Sequence, residues 1–388
     1  MSRRILLLAF LLVATRPLLA EEKVDLDFQF DLVFHNPTAK DYTNLTFRGH
    51  SNFHTIRSRV ILNAYINEYI RVNAQLLSDN QSTPYWFSAY AQLTAPQTAA
   101  LNLNVGIIPT PVGVFGARTY PHKNFVIGTP LMYNHKTNIS IYTLQMTNSE
   151  LLKERGEGYE SDFAGPGSGK GIPIMYDACW NSGMNLFGSI GIWDYSVGLL
   201  VGSVSYPGIQ VQDRNPQLTA QLIANPLMGF RAGLMGVWGP HLLQASASQL
   251  PAGKNLNDYK QIMAGFLTEV AYGHFEFNAE AVANAFEHPY LGYLRNKSFY
   301  TEARYKFQPG FFASARVESI IFSKIEDETI PGSSLTWDYN IRRLEAAIGY
   351  YLARDALLKL DSQFNRYPPE GSSLNDDIYA LQLTLLFQ

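Results

Sequence analysis

The sequence predicts an all-β chain: a transmembrane antiparallel β-barrel of about sixteen strands with a long third outer loop. Three observations lead there. Apolar and polar residues alternate with a period of two along most of the chain, as in strands with unlike faces. After Ala20 no apolar stretch reaches the ~18 residues that a spanning helix needs. Tight turns and longer polar loops take turns as connections, and the strand total is even, so both chain ends meet on the tight-turn side.

The elements follow in order. In the first run Val24, Leu26, Phe28, Phe30, Leu32 and Phe34 alternate with Asp25, Asp27, Gln29 and Asp31, giving one apolar and one largely acidic face. A hairpin joins Ile56–Ile66 to Ile70–Leu76 through Asn67-Glu68, with Arg57, Arg59 and Asn63 on one polar face and Arg71, Asn73 and Gln75 on the other. A second runs in through Phe87–Leu93, turns at Ala95-Pro96-Gln97 and runs out through Leu101–Ile107. Beyond a long loop the alternation resumes at Ile172–Trp180, Tyr195–Val201, Leu218–Ala224 and Phe230–Trp238, the last two joined at Asn225-Pro226. Runs at 260–272 and 274–285, a pair at 298–307 and 311–322 turning through Gln308-Pro309-Gly310, a pair at 338–353 and 355–366, and a final run at 376–387 complete sixteen.

Composition agrees. Of 388 residues 16% are charged and 13% aromatic, which suits an outside that meets lipid and an inside that meets water. The apolar faces carry Phe, Tyr and Trp near strand ends, as in an aromatic girdle. A soluble β-sandwich or propeller would alternate too, but would carry more charge outside and would not alternate short with long connections. A net charge of −3 lacks the basic excess that a nucleic-acid partner wants. A single cysteine, Cys179, leaves no intrachain disulfide and no Cys-rich metal site. Residues 1–20 read as a secretory signal peptide: Arg3 and Arg4, the apolar run Ile5–Ala14, then Ala20 at the cleavage point. The expected organisation is that signal peptide followed by one barrel domain, 21–388, in the cell outer membrane. With strands beginning by Val24, an N-terminal plug domain is not expected.

The long loop, 109–170, needs a reason inside such a barrel, and folding into the lumen to narrow it is the reading adopted. The stretch that leads into it, Ser88 to Gly113 (SAYAQLTAPQTAALNLNVGIIPTPVG), resembles the phosphate-selective O/P type of outer-membrane porin. In that family a V-G-x-x-K-x-P-F-G motif opens the third outer loop. Val105-Gly106 and Pro111-Val112-Gly113 stand at the matching places, whereas Pro109 replaces the Lys and Val112 the Phe. Ser196-Val197-Gly198-Leu199, Asp213-Arg214-Asn215-Pro216 and Asn225-Pro226-Leu227-Met228-Gly229-Phe230 are similar as well. The resemblance implies a sixteen-strand general or anion-preferring porin, commonly a trimer.

Candidate site residues come from the polar faces and the loop. Arg57, Arg59, Arg71, Arg304, Lys306 and Arg316 are the pore-lining and selectivity candidates, the first three forming one basic patch on neighbouring strands. They face many carboxylates, among them Asp31, Glu276, Glu280, Glu302 and Glu318, so net selectivity is expected to be weak. The constriction-loop candidates are Pro109, Pro111, Arg118, His122, Lys123 and Lys136, since Lys and Arg in a narrowing favour anions. Gly165-Pro166-Gly167-Ser168-Gly169-Lys170-Gly171 fails as a phosphate-binding loop: Ala164 and Gly171 stand where Gly and Ser or Thr belong. No His-x-x-x-His, nucleophile elbow or paired carboxylate stands out, so an enzyme, a cofactor and a metal are not expected. The expected function is passive diffusion of small hydrophilic solutes, leaning toward anions. The alternative is an outer-membrane enzyme or adhesin whose barrel is closed by its loops. Expected partners are membrane lipid, lipopolysaccharide, the solutes and two further copies in a homotrimer; nucleic acid is not among them.

Overall fold

A sheet in hydrocarbon can leave no open edge, because unpaired backbone N–H and C=O groups find no water there. The sheet of this protein closes accordingly. The computed structural model describes residues 23–35, 56–79, 83–95, 98, 100–140, 142–156, 158, 171–176, 181–209, 213–366 and 377–387. The expected signal peptide and residues 159–170 lie outside them.

Five strands precede the long loop: β1 (Lys23–His35), β2 (Ile56–Asn67), β3 (Ile70–Asp79), β4 (Tyr85–Thr94) and β5 (Asn102–Ile108). Within the loop lie two short helices, α1 (Leu131–Asn134) and α2 (Asn148–Lys153). There follow β6 (Asn181–Ile190), β7 (Trp193–Leu200), β8 (Gln217–Leu227), β9 (Phe230–Pro240), β10 (Lys260–Tyr272), β11 (Phe275–His288), β12 (Gly292–Gln308) and β13 (Phe311–Phe322). A small ribbon of β14 (Lys324–Glu326) and β15 (Ser334–Thr336) decorates the next outer loop. The barrel resumes with β16 (Ile341–Ala353), β17 (Ala356–Arg366) and β18 (Ile378–Phe387). Omitting the ribbon, sixteen strands pair in a closed antiparallel ring, each with its chain neighbours. The seam joins β1 to β18, with Phe28 opposite Phe387 and Phe34 opposite Leu381.

The outward face is what the alternation predicts. On β8, Leu218 and Leu222 are exposed while Gln217, Thr219 and Ile223 are buried inside; on β1, Leu26, Phe28 and Phe34 point out while Gln29 and Asp31 are buried. The inward face differs from expectation. It is not wholly polar. Ile223, Met235, Val237, Met263, Leu267 and Val282 point inward and pack on Val112, Phe115, Leu131, Tyr133 and Ile139 of the loop. The core of this protein therefore sits inside the barrel, between the β8–β16 wall and the loop, where apolar loop residues give those inward positions something dry to pack on.

Four further expectations are corrected. The sixth strand is Asn181–Ile190, not 172–180. Ile172, Ile174 and Tyr176 are buried loop residues, and 177–180 lie outside the described residues. Residues 171–176 are all buried against the loop, so their apolar positions mimic a strand, whereas Gly183 and Gly188 dilute the pattern of the true strand. The turn after β8 falls at Met228-Gly229, three residues beyond Asn225-Pro226. Strands β11 and β12 are longer than expected and joined by only residues 289–291, so long and short connections do not strictly alternate. The β14–β15 ribbon had no counterpart in the predicted runs.

One prediction follows from the faces. Leu222→Arg, at the outward midpoint of β8, should cost about 2–4 kcal/mol of stability in lipid vesicles. Urea titration checks this; a wild-type midpoint would mean that this face does not meet lipid.

Candidate functional site

The segment from Pro109 to Thr137 has little secondary structure, yet most of it is buried inside the barrel. Its backbone groups therefore need partners that regular structure does not give. The inner wall supplies them. At entry, Ser196 Oγ of β7 lies 3.2 Å from Pro111 O, and Gly113 N–H donates to Gln221 Oε1 of β8 (2.7 Å). Gly198 lets Pro111 lie against β7: a Cβ there would sit 2.6 Å from the proline Cγ. Glu280 of β11 then accepts from the N–H groups of Val114 (2.8 Å) and Phe115 (3.1 Å) and from the hydroxyls of Tyr133 and Tyr300. Arg118 pairs with Glu269 of β10 and Glu302 of β12.

The chain next crosses the lumen. Tyr120 exchanges hydrogen bonds with Gln75 of β3 (2.9 Å from the amide nitrogen). From β17, Lys359 Nζ donates to the carbonyls of Pro121, Asn124 (2.7 Å) and Val126 (3.1 Å). Ile127 N–H donates to Asp361 of β17 (2.9 Å) and Gly128 N–H to Glu345 of β16 (2.6 Å). At Gly128 a Cβ would stand 2.5 Å from that same carboxylate, so only glycine allows this approach. Arg316 of β13 donates to Gly128 O (2.7 Å), Arg343 of β16 to Thr129 O (3.1 Å), and Leu131 N–H to Glu318 of β13. Wall carboxylates thus take loop N–H groups and wall cations take loop carbonyls, from β11 round to β17. The return segment locks down from above: Met175 N–H donates to Met132 O (3.0 Å), and Ile174 O accepts from Ser205 Oγ (2.8 Å) and Gln261 Nε2 (2.9 Å).

The predicted residues sort into three environments. Arg57 is buried in an ion pair with Asp79 of β3, and Arg304 and Lys306 share Glu276 (Lys306 at 2.8 Å). Arg316 is sealed under the loop between Glu302 (2.7 Å) and Glu345 (3.3 Å), so it does not face open lumen. Arg59 is fully buried but forms no ion pair among the described residues; its guanidinium stacks between the rings of Phe87 (4.7 Å) and Tyr120 (4.3 Å). Arg71 donates to Gln92 (3.1 Å). In the loop, Pro109 and Lys136 are half-buried and Pro111 is buried; Lys123 is exposed beside the Tyr120 ring (5.1 Å). His122 is pushed down to about 4, first by burial and then by Lys123, Lys359 and Arg59, so it is neutral near pH 7.

Water reaches the lumen from the tight-turn end. Inward side chains there, such as Asn63, Arg71, Gln92, Asn104 and Asn185, are half-buried, whereas Leu77, Phe87, Ile108 and Leu200 toward the outer end are buried. Two cavities lie beneath the loop and meet at Arg231. One, about 800 Å³, is bordered by Arg118, His122, Lys123, Phe125, Glu276 and Arg304. The other, about 520 Å³, lies against β5–β8. Sequence reasoning did not single out Glu345, Tyr120 or Gln221 as parts of the site, and placed Glu280 and Glu318 only as wall charges.

Glu280→Ala removes the acceptor for four donors at once. It should destabilise the protein by about 3 kcal/mol or more. It should also expose the bonds after Arg118 and Lys123 to trypsin. A variant as resistant as the wild type would show that Glu280 does not hold the loop.

No family model matches the chain, and no curated protein does. Solved structures do. The fold is similar to that of OmpF from Salmonella typhi (TM-score 0.57, 11% identity, 94% of this chain and 98% of that one). It is also similar to an anion-selective porin from Comamonas acidovorans (TM-score 0.56, 9% identity, 95% and 100%) and to the trimer form of OmpT, an outer membrane protein of Vibrio cholerae (TM-score 0.53, 9% identity, 95% and 100%). At these identities the likeness is one of fold: a closed antiparallel β-barrel of sixteen strands.

Proposed function

We propose that the protein is an outer-membrane porin that passes small hydrophilic solutes by diffusion. The observation that carries this is the loop 109–156, folded across the lumen and seated on the walls of both sides, above a hydrated vestibule that opens at the tight-turn end. A barrel with a polar lumen and an internal narrowing sorts solutes by size and charge without energy input or catalysis. The porin-type fold neighbours and the motif around Pro111-Val112-Gly113 favour an O/P-type relative working as a trimer. Pro109, in place of the motif's Lys, removes one cation from the narrowing.

Selectivity for ions is weak in this reading. Arg57, Arg304, Lys306 and Arg316 have carboxylate partners, and His122 is neutral. Arg59, Arg71 and Lys123 have none among the described residues, which tilts the lumen toward anions. The packed outer half favours a second reading, a barrel held closed by its loops with an enzyme or adhesin role at its outer surface.

Planar bilayers decide between the two. The purified protein should give stepwise conductance, with a reversal potential in asymmetric KCl on the anion side, and Arg59→Gln with Arg71→Gln should move that potential toward zero. A barrel that inserts but never conducts would reject the porin reading.

A further inference from the structure

The smaller cavity has an unusual wall. Register places the inward side chains of β3–β8 in two rows, of which the part on β5–β8 borders the cavity. In the first row Arg71 lies opposite Gln92, Gln92 opposite Asn104, and Asn104 opposite Asn185. In the second, Thr94 lies opposite Asn102, Asn102 opposite Phe187, Phe187 opposite Ser196, and Ser196 opposite Gln221. From Gln92 to Gln221 these rows hold no charged residue. The two charged residues that do border the cavity cancel: Arg231 lies 3.4 Å from Asp194 and also pairs with Glu269 at 2.8 Å.

A wall of side-chain amides offers donors and acceptors together at each position and repels neither sign of charge. Asn185, which borders the cavity, accepts from Ser196 Oγ at its Oδ1 (2.8 Å), and its amide N–H groups are the donors it has left. Between Asn102 and Ser196, Phe187 sets an apolar ring among these groups. Alternating amides around one ring complement a molecule whose edge is all hydroxyl and whose face is C–H. The volume, about 520 Å³, is in the range that takes small molecules of several rings. The neighbouring cavity beyond Arg231 is lined by charges and lacks this pattern.

We propose that this amide-lined chamber is a binding site for neutral, polyhydroxylated solutes of the saccharide class. The sugar ring lies under the Phe187 face and its hydroxyls on Asn102, Asn104 and Asn185. This rests on the reading of the barrel as a channel and gives that channel a substrate class: uncharged sugars gain a saturable stop on the way through, while ions meet a wall of little net charge.

The test has two arms. In detergent, saturation-transfer NMR with sucrose and with raffinose should show transfer to the sugar ring protons. Asn104→Ala combined with Asn185→Ala should weaken binding about tenfold, as expected for losing two residues' hydrogen bonds. In bilayers, sucrose should block the current in a saturable way, whereas poly(ethylene glycol) of equal hydrodynamic size, which has no hydroxyl edge, should lower it only in proportion to concentration. Sugar and polymer acting alike, with no transfer in detergent, would overturn the site. Transfer without any conductance would overturn the channel and leave the site standing. Should the double variant fail to fold, the wild-type comparison of sugar with polymer still decides.

Discussion

An irregular chain buried inside a barrel is an electrostatic problem before it is a functional one. Its N–H and C=O groups have no ladder to join, and each one buried without a partner costs about 1–3 kcal/mol. This protein answers with its wall. Glu280, Glu318, Glu345 and Asp361 accept the loop's N–H groups, and Lys359, Arg316 and Arg343 donate to its carbonyls. The same side chains pair among themselves, as Arg316 does with Glu302 and Glu345. Neither set is free to change alone, because removing a wall charge strands both a loop group and a neighbouring charge.

That constraint divides the lumen. From β8 round to β18 many inward side chains are tied to the loop or packed against its apolar residues, and the larger cavity lies beneath them against β8–β12. From β3 to β7 contact with the crossing segment is slight: Tyr120 touches Gln75 and Arg59, and Pro111 touches Ser196. The smaller cavity is left on that side. Charges needed to hold the loop are consumed in holding it, and what borders the smaller cavity is mostly amide and hydroxyl. In the proposed channel, weak ion selectivity and an uncharged wall have the same origin.

The strands were legible in the sequence because lipid enforces one apolar face, and a period of two survives almost any inner face. It failed where glycine thinned the signal, in β6, and where buried loop residues mimicked it, at Ile172, Ile174 and Tyr176. The inward direction of Arg57, Arg59 and Arg71 was readable from the same alternation. Their partners were not. Arg57 meets Asp79 through hairpin register, and Arg59 meets Tyr120 through a loop that must first cross the barrel. Glu280 lies 166 residues from Val114, and no local pattern marks one as the seat of the other. The interior core was hidden for a related reason: Met263 and Leu267 look like a broken polar face until the loop that covers them is in place.

The central claim is that wall carboxylates hold the loop's amides inside the barrel. Hydrogen exchange measured residue by residue on the folded protein in lipid nanodiscs tests it most directly. The amides of Val114, Phe115, Ile127, Gly128 and Leu131 are in no helix or strand ladder, apart from the single turn that opens at Phe115 and the one at Leu131. They should nevertheless exchange as slowly as amides of β11 and β12, because opening them means breaking buried charge-assisted bonds. Exchange of these five at the rate of exposed loop amides would contradict the account.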